Sequence, residues 1–401
     1  MHLLKEIAEQ VGTPCYVYSG DEILARYRTY DDAFGDLPHQ VCYAVKANSN
    51  LGILKMLAEA GAGFDIVSGG ELFRVLKAGG DPSKVVFSGV GKTEEEIDYA
   101  LKQKINTFNC ESADELERIS KQARTRGLQT RVALRVNPDV DAATHPYIST
   151  GMSEHKFGID IADVEEIYCQ ATRLPNLLVE GVSCHIGSQI LDPKPLLEAV
   201  DKMIALVDRL RSAGVPIKHL DLGGGIGVPY KPHEKAPEIA AIICQIRSKV
   251  TNRDLEIFVE PGRSIVGEAG VLLTRVLYRK QTARKQFIVV DAAMNDLIRP
   301  ALYKSHHEII PIEPKNRELI TVDIVGPICE TGDFLAKDRD LPAVEPGELL
   351  AIQTAGAYGF AQSSNYNSRP RAAEVLTRNG SWKIVRSRET YEDLIRGESF
   401  D

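Results

Sequence analysis

The chain has 401 residues, 43% hydrophobic and 26% charged, the composition of a globular protein long enough for two domains. Its net charge of -8 and the lack of any basic tract argue against a nucleic-acid surface. No apolar run approaches the roughly 20 residues needed to span a bilayer, so neither a membrane nor a nucleic acid is an expected partner.

Met1–Gln10 reads as an amphipathic helix without the apolar core and cleavage site of a signal peptide. Cys15, Cys42, Cys110, Cys169, Cys184, Cys244 and Cys329 show no CxxC spacing. Reduced thiols in a cytoplasmic protein are expected, and no metal site. Pro14–Tyr18 is β-prone. From about residue 40 to 265, apolar runs alternate with helix-period segments. The strand candidates are Val41–Asn48, Gly63–Ser68, Val85–Val90, Ile105–Cys110, Arg131–Pro138, Val179–Gly187, Ile217–Gly225 and Glu256–Arg263. Several are nearly all apolar, as parallel strands buried on both faces should be. Between them lie helical stretches such as Leu51–Ala60, Thr93–Lys102, Ser112–Gly127 and Pro195–Ala213. Thr93 with Glu96, and Ser112 with Glu115, have capping-box spacing, and Gly79, Gly127 and Gly214 stand at C-cap positions.

This rhythm predicts an α/β (β/α)8 barrel over residues 20–270, with an open doubly wound sheet as the rival. After about residue 270 the pattern becomes strand after strand: Val271–Tyr278, Phe287–Ala292, Leu319–Cys329, Leu349–Ala355, Ala372–Thr377 and Ser381–Val385, the last two joined by the hairpin signal Asn379-Gly380. Residues 271–401 are therefore expected to form a C-terminal β-sandwich or β-barrel domain, joined by the N-terminal segment 1–19.

A barrel carries its site at the C-terminal ends of its strands. Those ends hold Lys46, Asp65 and Ser68, then His185 and Ser188, the run Gly223–Gly227, and Glu260, Pro261, Gly262 and Arg263. Singly each has a plain explanation. A lysine after an apolar strand usually snorkels into solvent, a lone histidine is usually a satisfied core residue, glycine clusters make tight turns, and Glu260 could pair with Arg263. Together they match one chemistry. A desolvated lysine forms a Schiff base with an aldehyde; glycine turns offer N–H groups to a phosphate; a carboxylate opposite a pyridine nitrogen keeps it protonated and makes the ring a better electron sink; an imidazole stacks on the ring face. Pyridoxal 5'-phosphate requires all four.

At these residues the chain resembles the alanine-racemase-fold group of pyridoxal-phosphate decarboxylases, and within it the diaminopimelate decarboxylase family. The resemblance runs through Tyr43–Asn48, Phe64–Gly70, His145–Thr150, His155–Ile159, His185–Gln189, Asp221–Gly227, Glu260–Arg263, Arg299–Tyr303, Gly326–Asp333, Ala355–Gly359 and Ser364–Pro370. It implies that Lys46 holds the cofactor, that His185 stacks on its ring and that Glu260 meets the pyridine nitrogen. Ser188, Gly224, Gly225, Gly227, Pro261, Gly262 and the backbone at Arg263 would surround the phosphate, with Tyr358 beside cofactor and substrate. Arg263, Arg299 and Tyr303 would hold the substrate's distal carboxylate and Glu330 its distal ammonium. Cys329 would return a proton to the α-carbon. Cys329 and Glu330 would come from the neighbouring subunit, which implies a homodimer with shared sites. The resemblance gives no role to the His155–Gly158 loop.

The implied reaction is decarboxylation of meso-2,6-diaminopimelate to L-lysine and CO2. Racemases of this fold place an arginine opposite the ring nitrogen, whereas Glu260 favours decarboxylation. A sister decarboxylase of ornithine, arginine or a carrier-bound amino acid is the nearest alternative. Diamine-forming relatives carry aspartate where this chain has Glu330, and their substrate would leave Arg299 without an anion. A non-catalytic pyridoxal-phosphate-binding protein is more distant, because such single-domain barrels lack the C-terminal β domain.

Overall fold

The structure is a computed structural model that describes residues 1–141 and 156–400. The motif His145–Thr150 and His155 lie outside the described residues. The chain divides into two compact units. One comprises Leu24–Val228 and Lys235–Ile265; the other comprises Met1–Ile23, Pro229–Glu234 and Val266–Asp401.

In the first unit, eight strands pair side by side in chain order: His39–Ala44, Gly63–Ile66, Val85–Phe87, Thr107–Cys110, Thr130–Asn137, Leu177–Ser183, His219–Asp221 and Glu256–Val259. Every pairing among them is parallel. The last strand pairs back onto the first, Ile257 opposite His39 and Val259 opposite Val41, so the sheet closes and the open-sheet alternative is excluded. The strands bury on both faces, as Gly63–Ile66 and Thr107–Cys110 do throughout, which explains their unbroken apolar runs.

Most strands are shorter than the apolar runs suggest, chiefly at their C-terminal ends, while the fourth begins two residues late at Thr107. The first stops at Ala44 and turns into a short 3-10 segment, Val45–Ala47. The seventh is only His219–Asp221. The eighth stops at Val259, and Arg263–Val266 is a helical turn instead of strand. Glycines and polar side chains at these ends turn the backbone out of the ladder.

The helices follow their caps. Asn50 caps Leu51–Glu59 by accepting from the Gly52 N–H, and Thr93 and Glu96 form a reciprocal capping box at Glu94–Gln103. Ser112 caps Ala113–Thr125, but the expected box there does not form. The Glu115 carboxylate instead takes the Lys92 ammonium at 2.6 Å and the Glu111 N–H at 2.7 Å. Leu116, Ile119 and Ala123 bury the inner face of that helix at i, i+3 and i+7; burying Leu116 or Ile119 stabilises by about 1.5–3 kcal/mol. Gly79, Gly127 and Gly214 take the left-handed conformation that ends a helix.

The second unit is built on a nine-stranded mixed sheet. Gly270–Gln281 pairs with Cys15–Ser19, Gln286–Val290 and Leu349–Ile352, and Cys15–Ser19 also pairs with Ala373–Arg378. The N-terminal strand thus joins the C-terminal sheet, and helix His2–Val11 packs Ile7 and Ala8 against Cys15, Val17, Leu273 and Val375. Asn379 and Gly380 both have positive φ, as the hairpin turn requires. Two strands, Ile309–Pro311 and Phe334–Pro342, have no counterpart among the predicted ones. Phe334–Pro342 stands at the end of the sheet order and carries Lys337, Asp338, Arg339 and Asp340. Charges protect such an edge and erase its hydrophobic signal.

Candidate active site

Lys46 lies on the 3-10 turn after the first barrel strand, and its Nζ is 2.6 Å from Oδ2 of Asp65 at the end of the second. The Asp65 side chain is fully buried, whereas that of Lys46 is 36% exposed. The amine is therefore held on the buried Asp65 carboxylate, its direct partner. The Pro261 carbonyl accepts from the Ala44 N–H at 3.1 Å, which sets the loop after the eighth strand beside the Lys46 turn.

Glu260, at the end of the eighth strand, is buried. Its Oε1 accepts from Ser88 Oγ at 3.2 Å and from Asn109 Nδ2 at 3.3 Å. The same Asn109 nitrogen donates to Oδ2 of Asp221 at 2.8 Å, and Asp221 Oδ1 accepts the Gly223 N–H at 2.9 Å. Two buried carboxyls are thus held on one amide. Burial, then repulsion from Asp221 and Asp65, pushes the Glu260 carboxyl well above its ordinary range, against the pull of Lys46. Burial likewise raises Asp221. The alternative pairing of Glu260 with Arg263 is not what forms: Arg263, also buried, donates to Ser188 Oγ at 3.1 Å.

His185 follows the sixth strand. Burial, followed by the nearby Arg135 and Lys46 charges, holds its imidazole well below the usual histidine range, so it is neutral. Its Nδ1 accepts the Gly224 N–H at 3.2 Å, which places the proton on Nε2. Arg135 donates to the His185 carbonyl at 3.4 Å and is held by Glu111 at 3.0 Å. Glu111 also accepts the Gly158 N–H at 2.7 Å, and Arg135 lies 4.8 Å from the Phe157 ring centroid, so the described end of the His155–Gly158 loop is tied to this cluster.

The turn at Gly223–Gly227 is a backbone cradle that excludes side chains. A Cβ on Gly224 would lie 2.3 Å from the Glu260 carbonyl oxygen. One on Gly225, at φ +116°, would lie 2.5 Å from the Gly187 carbonyl oxygen. Gly227 N–H donates to the Ile190 carbonyl at 2.9 Å, and a Cβ on Gly262 would press on Ala47 at 3.0 Å. The barrel rim therefore brings together Lys46, His185, Ser188, Gly224, Gly225, Gly227, Glu260, Pro261, Gly262 and Arg263.

The remaining predicted residues belong to the second unit. Arg299 begins the short helix Arg299–Tyr303 and is buried. Its Nε donates to His307 Nε2 at 3.3 Å and its guanidinium lies 5.0 Å from the Tyr230 ring centroid and 5.8 Å from that of Tyr303. His307 in turn bonds the Gln353 carbonyl through Nδ1 at 2.9 Å. The Tyr303 hydroxyl accepts from Gln362 at 3.1 Å. Cys329 and Glu330 form the exposed tip of the turn after Leu319–Val325. Cys329 is thus not an ordinary core thiol. Tyr358 is half-buried with φ +55°.

Sequence reasoning passed over Ser88, Asn109, Asp221, Arg135 and Glu111. Ser88 and Glu111 directly follow the third and fourth strands and Asp221 ends the seventh, so a search for polar residues at every strand end finds them. Asn109 and Arg135 lie inside strands and need the structure, because their links run between different strands.

The rim suits pyridoxal phosphate on three counts: a cradle where any Cβ would strike a carbonyl, a buried carboxyl whose charge a ring N–H+ would stabilise, and an anchored amine. Residues 20–267 match the family model for the pyridoxal-dependent decarboxylase, pyridoxal binding domain. The diaminopimelate decarboxylase of Pseudomonas aeruginosa is 57% identical over 396 residues, covering 99% of this chain and 95% of that protein. That of Vibrio cholerae is 52% identical, with 99% and 95% covered. The solved structure of diaminopimelate decarboxylase from Helicobacter pylori complexed with L-lysine is 43% identical, covers 98% of each chain and superposes with a TM-score of 0.94. With the closed barrel, the mixed sheet and these likenesses together, the chain belongs to the diaminopimelate decarboxylase family of pyridoxal-dependent decarboxylases.

Proposed function

We propose that this chain decarboxylates meso-2,6-diaminopimelate to L-lysine and CO2, with the roles below. The observation that carries the reading is Glu260, a buried carboxyl fixed by Ser88 and Asn109 at the same rim as Lys46. When bound, pyridoxal phosphate supplies an aldehyde for the substrate amine and a protonated ring that accepts the electron pair left when the bond to CO2 breaks. Glu260 holds the proton on that ring nitrogen. Lys46 Nζ would hold the cofactor covalently, steered by Asp65. Neutral His185, its orientation fixed by the Gly224 N–H, would lie against the ring face. Ser188 and the backbone of Gly224, Gly225, Gly227, Pro261, Gly262 and Arg263 take the phosphate. Tyr358 lies beside cofactor and substrate.

The distal amino-acid head needs one anion site and one cation site. The Arg263 and Arg299 guanidiniums and the Tyr303 hydroxyl serve its carboxylate, and Glu330 serves its ammonium. The Cys329 thiol gives the proton that replaces the lost carboxylate on the α-carbon. The active unit is a homodimer in which Cys329 and Glu330 complete the neighbouring subunit's site; their exposure at the tip of a turn supports this. Seven free thiols support a cytoplasmic location. No helix among the described residues is long and apolar enough to cross a membrane.

The test is CO2 release from meso-diaminopimelate, ornithine and arginine offered separately. Turnover of diaminopimelate alone is expected, and release only from ornithine or arginine overturns the substrate assignment. Mixing Lys46→Ala with Cys329→Ala chains should restore activity through hybrid dimers; no recovery with proven subunit exchange refutes the shared site.

A further inference from the structure

Resting on the roles just given to Cys329 and Glu330, we propose that Tyr366 and Asn367 are positioning residues that hold this pair, one for substrate affinity and one for turnover. Cys329 and Glu330 occupy the exposed tip of a turn, where a long glutamate side chain and a thiol have little packing to fix them. The base of the turn is staked by buried Asp333, whose carboxylate accepts the Ile328 and Met294 N–H groups at 2.7 Å each. The tip itself is held from a second segment. The Tyr366 hydroxyl donates to Glu330 Oε2 at 2.8 Å, and Asn367 Oδ1 accepts the Cys329 N–H at 2.9 Å.

Two consecutive side chains thus engage two consecutive residues, one through the glutamate carboxylate and one through the cysteine backbone. The backbone is shaped for it: Asn367 and Ser368 are left-handed at φ +54° and +53°, a conformation that non-glycine residues rarely hold without a reason. Tyr366 occupies only one carboxylate oxygen. The other, Oε1, has Gly332 beside it, where a Cβ would lie at 3.0 Å. The phenol therefore aims the carboxylate and leaves one oxygen for a cation. Its bond to Glu330 also raises the Tyr366 phenol above its ordinary range, so the hydroxyl remains a donor at neutral pH.

The two bonds predict different kinetic signatures. Glu330 binds a part of the substrate that does not react, so loosening it raises KM. Cys329 acts in the proton transfer, so loosening it lowers kcat. Tyr366→Phe should raise KM for diaminopimelate about five- to tenfold with kcat within about twofold. Asn367→Gly keeps the left-handed backbone but removes the acceptor and should lower kcat several-fold, whereas Asn367→Asp keeps the acceptor and should restore it. Cofactor absorbance and melting temperature should be unchanged in all three. Glu330→Gln run in parallel separates the two levels of the argument. If it raises KM strongly while Tyr366→Phe leaves KM at the wild-type value, the positioning role is refuted and the reading of Glu330 stands. If Glu330→Gln itself leaves KM unchanged, the assignment of Glu330 falls, and the role of Tyr366 with it. Equal kinetics for Asn367→Gly and the wild type refute the Asn367 half.

Discussion

Gly224→Ala tests whether the glycine turn is a cofactor cradle or merely a tight bend. The added Cβ would stand 2.3 Å from the Glu260 carbonyl oxygen, against about 3.4 Å for an ordinary contact. The atom it meets is backbone, and the Glu260 N–H is itself bonded to the Gly223 carbonyl at 2.7 Å, so the two loops cannot part freely. They must open by about 1 Å, an overpacking that costs about 1–3 kcal/mol of stability. The same movement shifts the Gly224 N–H from His185 and carries Glu260 with it. The displaced turn also carries the Gly225 N–H, and losing the alignment of one such N–H to a charged phosphate is worth about 1.5–3 kcal/mol, so cofactor affinity should fall by about 10- to 100-fold. A displacement of about 1 Å at Glu260 adds a loss of up to about 100-fold in kcat for chains that still bind. Titrating the apoprotein with pyridoxal phosphate by absorbance gives the affinity, and saturating cofactor gives the residual kcat. Gly91→Ala is the control, since its Cβ meets nothing within 4 Å and its φ is not left-handed. A Gly224→Ala protein with wild-type affinity and turnover would refute the cradle.

Three further outcomes are expected. Borohydride reduction of the cofactor-loaded protein should fix pyridoxal on the peptide containing Lys46, and Lys46→Ala should lose the label and the visible absorbance; label on another lysine refutes the anchor. The fold raises the Glu260 carboxyl, so it favours the neutral form, and stability is lost as pH climbs from the ordinary glutamate value of about 4.3 through the raised one. Apo Glu260→Gln should accordingly melt above the apo wild type near pH 8 and lose that advantage near pH 4, and a constant difference across pH would show that the charge is not the cause. His219, buried against Phe258 at the start of the seventh strand, is held down to about 3 by burial and then by Arg131. Its folded value is depressed, so the stability it supports is complete above about pH 6.5 and drains as pH falls toward 3. Between pH 6.5 and 5 that is about 2 kcal/mol. His219→Gln should flatten this part of the acid-unfolding curve, and an unchanged slope assigns it to another group.

The barrel was legible because its strands are buried on both faces and therefore spell continuous apolar runs, from Val41–Ala44 to Ile257–Val259. The same property hid where the strands stop. Tyr43-Ala44-Val45 reads as one run, yet Ala44 ends the ladder and Val45 begins the Lys46 turn. Lys46 and Glu260 were visible as polar residues after apolar runs. Asp221 follows that rule too, but it shares the Asn109 amide nitrogen with Glu260 across the barrel, a relation with a sequence separation of 112 that no local pattern encodes. Phe334–Pro342 was illegible for the opposite reason, since an edge strand selected for charge carries no alternation. Ser112 with Glu115 had the spacing of a capping box, but Lys92 offered the glutamate a stronger partner than the helix's own N–H.

The charges at the rim explain why affinity and rate should separate at Glu260. Asp65, Asp221 and Glu260 are all buried there, and the Lys46 ammonium pairs with Asp65. Burial, then the neighbouring Asp221 and Asp65, raises the Glu260 carboxyl well above its ordinary range and so favours its neutral form. Beside a protonated ring nitrogen the Glu260 carboxylate would be one half of an ion pair, flanked by the Ser88 and Asn109 donors that already point at Oε1. In the proposed arrangement most of the cofactor's hold would come from the covalent bond to Lys46 and from the backbone cradle around Gly224 and Gly225. Removing the Glu260 charge therefore spares most of the binding. It would, however, remove the anion that keeps the ring nitrogen protonated, and the protonated ring is the better acceptor for the electrons of the breaking bond. Glu260→Gln should consequently lower kcat by a much larger factor than it lowers cofactor affinity, and an equal loss in both would mean that the carboxylate serves only to bind.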